Sequence, residues 1–247
     1  MQYWHSGSPP DYILDLVETF RCENPEARHL MFDRASAEAF VAENFSAREV
    51  TAFRACGVPA MQADYLRYCA ALVLGGVYCD VGYRCTAPLR TLLENCAEGR
   101  VFRRPAGQVV NGFFGFVAPR HRLFELVLEL ATVNIERRIG DHVWQVTGPA
   151  IFTALWMLRE LNSVEELVAR SRDVLKGNLE PVARTMASLA VSPSQALEAT
   201  EGIEVDSIDD VRRWLEKPDA ELPYKRGATH WLGYADSIFC EASSSTR

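Results

Sequence analysis

The chain has 247 residues, of which 48% are hydrophobic and 24% charged, a composition that suits one globular domain with a buried core. Its formal net charge of -7 disfavours a nucleic-acid binder, because such proteins neutralise phosphates with clustered lysine and arginine. The sequence contains no apolar run of about 20 residues, the length of a membrane span, and no signal segment, so we expect a cytoplasmic protein.

The first half of the chain alternates short apolar runs with amphipathic segments. Residues 1–4 and 29–33 are predicted strands, and residues 11–22 carry the apolar stripe of a helix at Ile13, Leu16, Val17 and Phe20. Further helices are expected to begin near Ser36 and near Ala47.

The middle of the chain continues this alternation. A helix is expected to begin at Pro59 and to end at Gly75-Gly76, and residues 77–81 form the apolar strand that follows. Strands are also predicted at 101–103 and 113–117, and helices at 121–138, 149–161, 164–175 and 208–216. This alternation predicts an α/β fold with a covered sheet and extra helices toward the C-terminus.

We expect residues 1–247 to form a single domain. Residues 176–206 are rich in Ser, Pro, Ala and Glu with little periodicity, which predicts a loosely packed loop or appendage. Residues 243–247 are predicted to be a disordered tail.

Seven cysteines occur without a C-x-x-C pair, so neither a zinc site nor a complete disulfide framework is indicated. Cys79 and Cys85 could serve as reactive thiols or metal ligands. Burial as small apolar residues is the simpler interpretation.

Three charged residues stand out around the strand at 77–81. Asp64 and Arg67 are three apart in a helical pattern and therefore share one side of that helix, and Asp80 comes at the carboxyl end of the strand. Ligands of open α/β sheets gather outside the carboxyl ends of the strands, where an acid can meet a cation or a sugar hydroxyl. The alternative is a surface ion pair between Asp64 and Arg67 and a turn acid at position 80.

The run ADYLRYCAALVLGGVYCD, residues 63–80, resembles the sugar-binding DxD region of glycosyltransferase family 32. Shorter segments are similar to the family in the expected order: Gln2-Tyr3-Trp4, Pro9-Pro10, Phe20 with Asn24-Pro25, Asn111-Gly112, Val146 to Pro149, and His230-Trp231. The resemblance covers residues 1 to 160 and a patch near 230. It implies a GT-A fold, as in fungal α-mannosyltransferases and clostridial toxin glucosyltransferase domains, and the use of a nucleotide sugar with a divalent cation.

The resemblance also implies roles for individual residues. Asp64 and Arg67 would hold the donor sugar, and Asp80 would act with them as the catalytic set. Trp4 would stack on the nucleotide base, Tyr78 and Asp80 would contact ribose, phosphate or cation, and Asn111 and Gly112 would lie near the sugar pocket. Trp4 and Tyr78 could instead be core residues.

Gly82 is a departure from the family pattern, which has a second aspartate there that binds the cation. We expect Asp80 and His230 to be the ligands of Mn²⁺ or Mg²⁺, and Asp236 is a second candidate from the same C-terminal segment. The alternatives are a cation shell completed by water and a domain that binds sugar nucleotides without turning them over.

The resemblance implies transfer of a hexose from a UDP- or GDP-sugar to a hydroxyl of a saccharide or protein, with retention of the anomeric configuration. A catalytically silent sugar-nucleotide binding module is the alternative, and a toxin-like effector would differ only in its acceptor. Asp141 and His142 are weaker candidates for an acceptor site. Thr147-Gly148-Pro149 is as consistent with the start of a helix as with a ligand contact.

Overall fold

A mixed α/β fold is seen in the computed structural model, which describes residues 1–174, 179–218, 222–223 and 238–240. Its helices are α1 (Asp11–Glu23), α2 (Arg34–Asn44), α3 (Ala47–Ala55), α4 (Pro59–Leu74), α5 (Arg90–Leu93), α6 (Arg122–Glu136), α7 (Val143–Val146), α8 (Pro149–Leu158), α9 (Val164–Val174), α10 (Glu180–Ser188) and α11 (Pro193–Thr200). Its strands are β1 (Gln2–Tyr3), β2 (Met31–Phe32), β3 (Gly76–Cys79), β4 (Arg84–Cys85), β5 (Gly99–Arg103), β6 (Val109–Phe116), β7 (Ile203–Ser207) and β8 (Leu215–Glu216), and a 3-10 helix spans Ile208–Arg213.

The central sheet has the strand order β3-β6-β5-β7. β6 is antiparallel to both β3 and β5, and β7 is parallel to β5. A second pair, β1 and β2, is parallel. The Met1 amine donates to the Val77 carbonyl at 2.8 Å and the Cys79 amide donates to the Met1 carbonyl at 3.1 Å, so the pair lies beside β3. The carboxyl ends of β2, β1, β3, β5 and β7 therefore share one edge.

Helix α4 confirms the prediction that Pro59 begins it and the Gly-Gly pair ends it. Pro59 is its first residue, and Gly75 caps its end with a φ of +63°. A Cβ at Gly75 would lie 2.8 Å from the Ala118 carbonyl carbon, so the backbone approach also requires glycine. The helix is buried along most of its length, including at polar positions such as Asp64 and Arg67. It therefore carries charged side chains into the interior.

Helix α2 begins earlier than predicted. Asp33 is its N-cap, and Ser36 is the third helical residue rather than the cap. The Asp33 carboxylate accepts from the Ser36 amide at 2.8 Å, and the Ser36 hydroxyl accepts from the Asp33 amide at 2.9 Å. These two reciprocal hydrogen bonds form a capping box. Both Asp and Ser side chains can cap a helix, so the sequence alone does not tell which of the two begins it.

The prediction of a loop or appendage at 176–206 is wrong for the residues described from 179 onward. Helices α10 and α11 and strand β7 occupy this segment, and Val182, Met186 and Ala196 are fully buried in the main core. The helices have only nine and eight residues, so each offers little more than two turns in which an apolar pattern can repeat. The predicted tail at 243–247 lies outside the described residues.

The predicted helix at 208–216 is also wrong. The segment forms the 3-10 helix and then β8, which pairs antiparallel with β4. The (i, i+3) ion pairs between Arg212 and Asp209 and between Arg213 and Asp210 suit a short helical turn. The other predicted strands and helices are confirmed, with shifts of up to a few residues at their ends.

Aromatic side chains of β6, α6 and α8 fill the space between the sheet and its helices. The Phe124 ring centroid lies 4.6 Å from that of Phe116 and 5.2 Å from that of Phe114. Cys79 and Cys85 are buried, which confirms the simpler interpretation, and all seven cysteines are free thiols. Among the described residues, no helix is both long enough and apolar enough to cross a membrane.

Candidate active site

A cleft of about 890 Å³ runs along the shared carboxyl edge of the strands. The end of β1, helix α4, the end of β3, the start of β6, the α7–α8 region and the 3-10 helix all contribute to its walls. The residues predicted to bind a donor all line it: Trp4, Asp64, Arg67, Tyr78, Asp80, Asn111 and Gly112. The fold therefore brings together residues that are up to 108 positions apart in the chain.

Arg67 is the centre of a buried polar network. Its Nη2 atom lies 3.2 Å from Asp64 Oδ1 and 3.1 Å from Asp80 Oδ1, and its Nη1 atom donates to the Asn111 carbonyl at 2.7 Å. The guanidinium carbon is 4.5 Å from the centroid of the Tyr78 ring. Only 4% of Arg67 is exposed, so one cation holds two carboxylates with little access for water.

Asp64 lies beneath the cleft, with 6% of its surface exposed. Its Oδ1 accepts from the Asn111 side-chain amide at 2.9 Å, and its Oδ2 accepts from the Thr147 hydroxyl at 3.1 Å. Burial raises the pKa of Asp64 to about 6, Arg67 opposes that rise, and Asp80 adds to it. Both oxygens of Asp64 are thus held by the protein.

Asp80 differs from Asp64, because 44% of its side chain is exposed. Its Oδ1 accepts from Arg67 and, at 3.1 Å, from the Tyr78 hydroxyl. Within the described part of the chain its Oδ2 has no hydrogen-bond partner. A Cβ built on Gly112 would lie 2.5 Å from that Oδ2, so glycine at 112 leaves the space that the free oxygen occupies.

The remaining predicted residues differ in how much they can meet a ligand. Tyr78 is only 1% exposed and stacks on Phe114 with a centroid distance of 5.7 Å, so it acts mainly as a support for Asp80. Asn111 is buried, and its side-chain amide also donates to the Tyr68 hydroxyl at 2.6 Å. Trp4 is half-buried at the end of β1, with its ring centroid 5.3 Å from that of His5.

Two weaker acceptor candidates do not line the cleft. Asp141 and His142 are both exposed, and the His142 Nδ1 atom accepts from the Trp144 amide at 3.2 Å to cap α7. Their neighbour Trp144 does line the cleft. The prediction for His230 and Asp236 stays untested, since both lie outside the described residues.

The described residues contain no group of three His, Cys, Asp or Glu side chains that could hold a metal ion. They do offer Asp80 Oδ2, a carboxylate oxygen that faces the cleft. Gly82 lies in the turn that follows β3 and adds no ligand. Mg²⁺-like cations keep several waters and bind one or two carboxylates together with substrate phosphates, so a single carboxylate fits a cation that is shared with a nucleotide.

Sequence reasoning missed the partners that hold the site. Thr147 was considered as part of a helix start or as a ligand contact, whereas its hydroxyl donates to Asp64 and Gly148 caps α8. Tyr68 lay inside the motif, and its bond to Asn111 joins residues 43 apart. Four further lining residues had no signal in the sequence: Tyr83, Arg104, Gln108 and Lys217.

Comparison with known proteins defines the fold. No family model matches the chain, and no curated protein matches it. Among solved structures, the chain is similar to "PaToxG Glycosyltransferase", with a TM-score of 0.51 and 15% identity over 87% of each chain. The fold is therefore GT-A-like, as predicted. A likeness at 15% identity shows the fold and not the family, so the resemblance to glycosyltransferase family 32 stays a prediction.

Proposed function

We propose that the protein is a glycosyltransferase that moves a hexose from a nucleotide diphosphate sugar to a hydroxyl acceptor. One observation carries the proposal: Asp80, in a cleft at the carboxyl edge of a GT-A-like sheet, has a carboxylate oxygen with no hydrogen-bond partner among the described residues. A volume of about 890 Å³ is within the range of small-molecule sites, which is about 300–1,000 Å³.

In this proposal, Trp4 and Asp80 bind different parts of the donor. Trp4 stands at the end of β1, beside β3, where its indole can stack on the nucleotide base. Asp80 would hold Mn²⁺ or Mg²⁺ through Oδ2. A divalent cation supplies positive charge that offsets the diphosphate as it leaves the sugar. A ligand from His230 would add to this site.

Asp64, Arg67 and Asn111 form the polar floor beneath the donor sugar. Because Arg67 and Asp64 expose so little surface, their main contribution is to fix the position of Asp80. Arg67 and Tyr78 occupy Oδ1, which leaves the other oxygen directed toward the ligand. This assigns Arg67 a positioning role in addition to any contact with the sugar.

We infer a retaining transfer from the resemblance to family 32. The bond from the anomeric carbon to the phosphate oxygen breaks, and the acceptor oxygen forms its bond on the same face of the sugar. The acceptor proton passes to the leaving phosphate. This scheme requires no protein nucleophile, and Asp64, with both oxygens held, is poorly placed to be one.

The second candidate function is a sugar-nucleotide binding module without turnover. It is favoured by Gly82, which leaves Asp80 as the one motif carboxylate with a free oxygen in the described part of the cleft. A toxin-like effector that modifies a protein is the same enzyme with a different acceptor.

A panel of UDP- and GDP-hexoses, with and without Mn²⁺, tests these proposals by thermal shift and by turnover. A ligand that binds the native state raises its stability by mass action. Transfer or hydrolysis of one donor supports the enzyme, and stabilisation without either supports the module. Asp80→Asn should abolish turnover while the melting temperature stays near that of the native protein. No stabilisation by any donor would overturn both functions.

A further inference from the structure

The end of the cleft away from Trp4 contains two cations that have no acidic partner among the described residues. Arg104 lies in the turn between β5 and β6, and Lys217 directly follows β8. Both are exposed, and neither forms an ion pair within the described residues. The neighbouring Arg212 and Arg213 differ, because each is paired with an aspartate one helical turn earlier. Within the described residues, no carboxylate therefore neutralises Arg104 or Lys217.

Tyr83 brings the two cations to one place. The Lys217 ammonium lies 5.8 Å from the centroid of the Tyr83 ring. Burial raises the pKa of the Tyr83 phenol, Asp80 adds to the rise, and the charge of Arg104 opposes it, so Arg104 is within electrostatic reach of the same side chain. All three line the cleft. In a protein with a net charge of -7, this end of the cleft is locally cationic.

The sheet order separates Arg104 from the donor end, and Tyr83 with Lys217 lies between them. Trp4 follows β1 and Asp80 follows β3, which are neighbours, whereas Arg104 follows β5, two strands beyond β3. Strands lie about 4.8 Å apart, which places the end of β5 about 10 Å from that of β3. A donor with its base on Trp4 and its phosphates at Asp80 occupies the first half of the cleft. The acceptor must then enter through the second half of the cleft.

We propose that Arg104 and Lys217 form an anion-binding subsite that selects acceptors with a carboxylate near the reacting hydroxyl. This inference rests on the proposed function, since it assumes that the donor lies between Trp4 and Asp80. The carboxylate can belong to a sugar acid or to an acidic residue beside a serine. In either case a guanidinium and an ammonium on one rim bind it by charge and hydrogen bonds.

Two matched ligand pairs distinguish these sources. The first is p-nitrophenyl β-D-glucuronide against p-nitrophenyl β-D-glucoside, and the second is a serine peptide flanked by glutamates against the same peptide with glutamines. By calorimetry, the anionic ligand of at least one pair should bind about fivefold more tightly than its neutral match. This ratio corresponds to the energy of an exposed ion pair, which is about 1 kcal/mol. Arg104→Gln with Lys217→Gln should remove this preference without changing donor affinity.

The control is Arg84→Gln with Arg103→Gln, which removes the same charge. Arg84 and Arg103 are exposed neighbours of Tyr83 and Arg104 in the chain, and neither lines the cleft. The control should keep the preference. Equal binding or no binding of both members in both pairs would overturn the subsite, as would a loss of donor affinity in the Arg104 and Lys217 variant. Failure of every donor to bind the native protein would instead overturn the proposed function.

Discussion

At the scale of single residues, the two carboxylates of the network have different environments. Asp64 is enclosed, and both of its oxygens accept hydrogen bonds from the protein. Among the described residues, Asp80 accepts hydrogen bonds through Oδ1 only, and Gly112 makes room for Oδ2. The chemistry of the site therefore depends on a missing side chain at 112 as much as on the charged groups.

Gly112→Ala should displace the Asp80 carboxylate and lower turnover, because the new Cβ would lie 2.5 Å from Oδ2. A double-mutant cycle with Asp80→Ala tests the cause. Melting temperatures should show that alanine at 112 is better tolerated when position 80 is alanine, with a coupling of about 0.5–3 kcal/mol. Additive effects would mean that the two residues do not meet.

Arg67→Ala should destabilise the protein strongly, because it leaves the buried Asp64 carboxylate and the partly exposed Asp80 carboxylate without their shared cation. We expect a loss of about 3–5 kcal/mol in the free energy of unfolding, measured by urea denaturation. Arg54→Ala is the matched control, since Arg54 forms an exposed ion pair with Glu38 at 2.7 Å, and it should cost less than about 1 kcal/mol. Similar losses in the two variants would contradict the buried network.

The raised pKa of Asp64 predicts a pH dependence of stability. The pKa moves from the ordinary value of 3.8 to about 6 in the folded protein, so between these values the folded state keeps a proton that the unfolded state has released. The free energy of unfolding should fall as pH rises through this window. In Asp64→Asn this fall of the unfolding free energy with rising pH should be absent. Parallel stability profiles of the two proteins between pH 4 and pH 7 would show that Asp64 does not titrate there.

The motif at residues 63–80 predicted part of the cleft lining, because it contains Asp64, Arg67, Tyr78 and Asp80 on one helix and the strand that follows. Trp4, Asn111 and Gly112 were predicted only through the resemblance to family 32. The partners of those residues were beyond prediction. Thr147 contacts Asp64 across 83 positions and Asn111 contacts it across 47, and such pairings depend on the tertiary fold. The free oxygen of Asp80 follows from these pairings and could not be predicted either.

At the scale of secondary-structure elements, prediction succeeded where the chain carries strong end signals. Pro59 and the Gly75-Gly76 pair bound α4 as expected. Helix α10 has Pro181 near its start and a buried face of Val182, Ala183, Thr185 and Met186, yet its nine residues give too short a periodic pattern. Packing against the core, rather than local sequence, stabilises such a helix.

Met186→Ala tests whether α10 belongs to the core. Met186 is fully buried in the main hydrophobic cluster, so its truncation should cost about 2–5 kcal/mol of unfolding free energy. Arg184→Ala on the exposed side of the same helix should change stability by about 0.5 kcal/mol or less. If Met186→Ala lowered the free energy of unfolding as little as Arg184→Ala does, the segment would be loosely packed, as the sequence predicted.

At the scale of the whole molecule, alternating patterns predicted an α/β fold but not the strand order. The order depends on β1 lying beside β3 and on β7 joining β5, contacts that link distant parts of the chain. The donor and acceptor ends of the cleft are defined by that order. No local motif carries the information.

The geometry of Asp80 predicts that a cation and a nucleotide bind together. Because Asp80 offers one carboxylate oxygen without a partner among the described residues, Mn²⁺ should bind the protein alone weakly and bind more tightly when a nucleoside diphosphate supplies further oxygens. Calorimetry should show a gain of about 5- to 150-fold, the usual range of coupling between two ligands. Equal Mn²⁺ affinity in both conditions would exclude a shared site.

The walls of the cleft extend from Tyr3 to Lys217 in the chain, and β7 completes the sheet only after residue 207. Most of the chain has therefore left the ribosome before the site can assemble. Pairings between such distant segments slow folding, because loop-closure entropy is lost before the contacts form. Nascent chains will thus pass through a long interval in which β5 exists without β7, and its unpaired edge is the surface that a chaperone would have to shield.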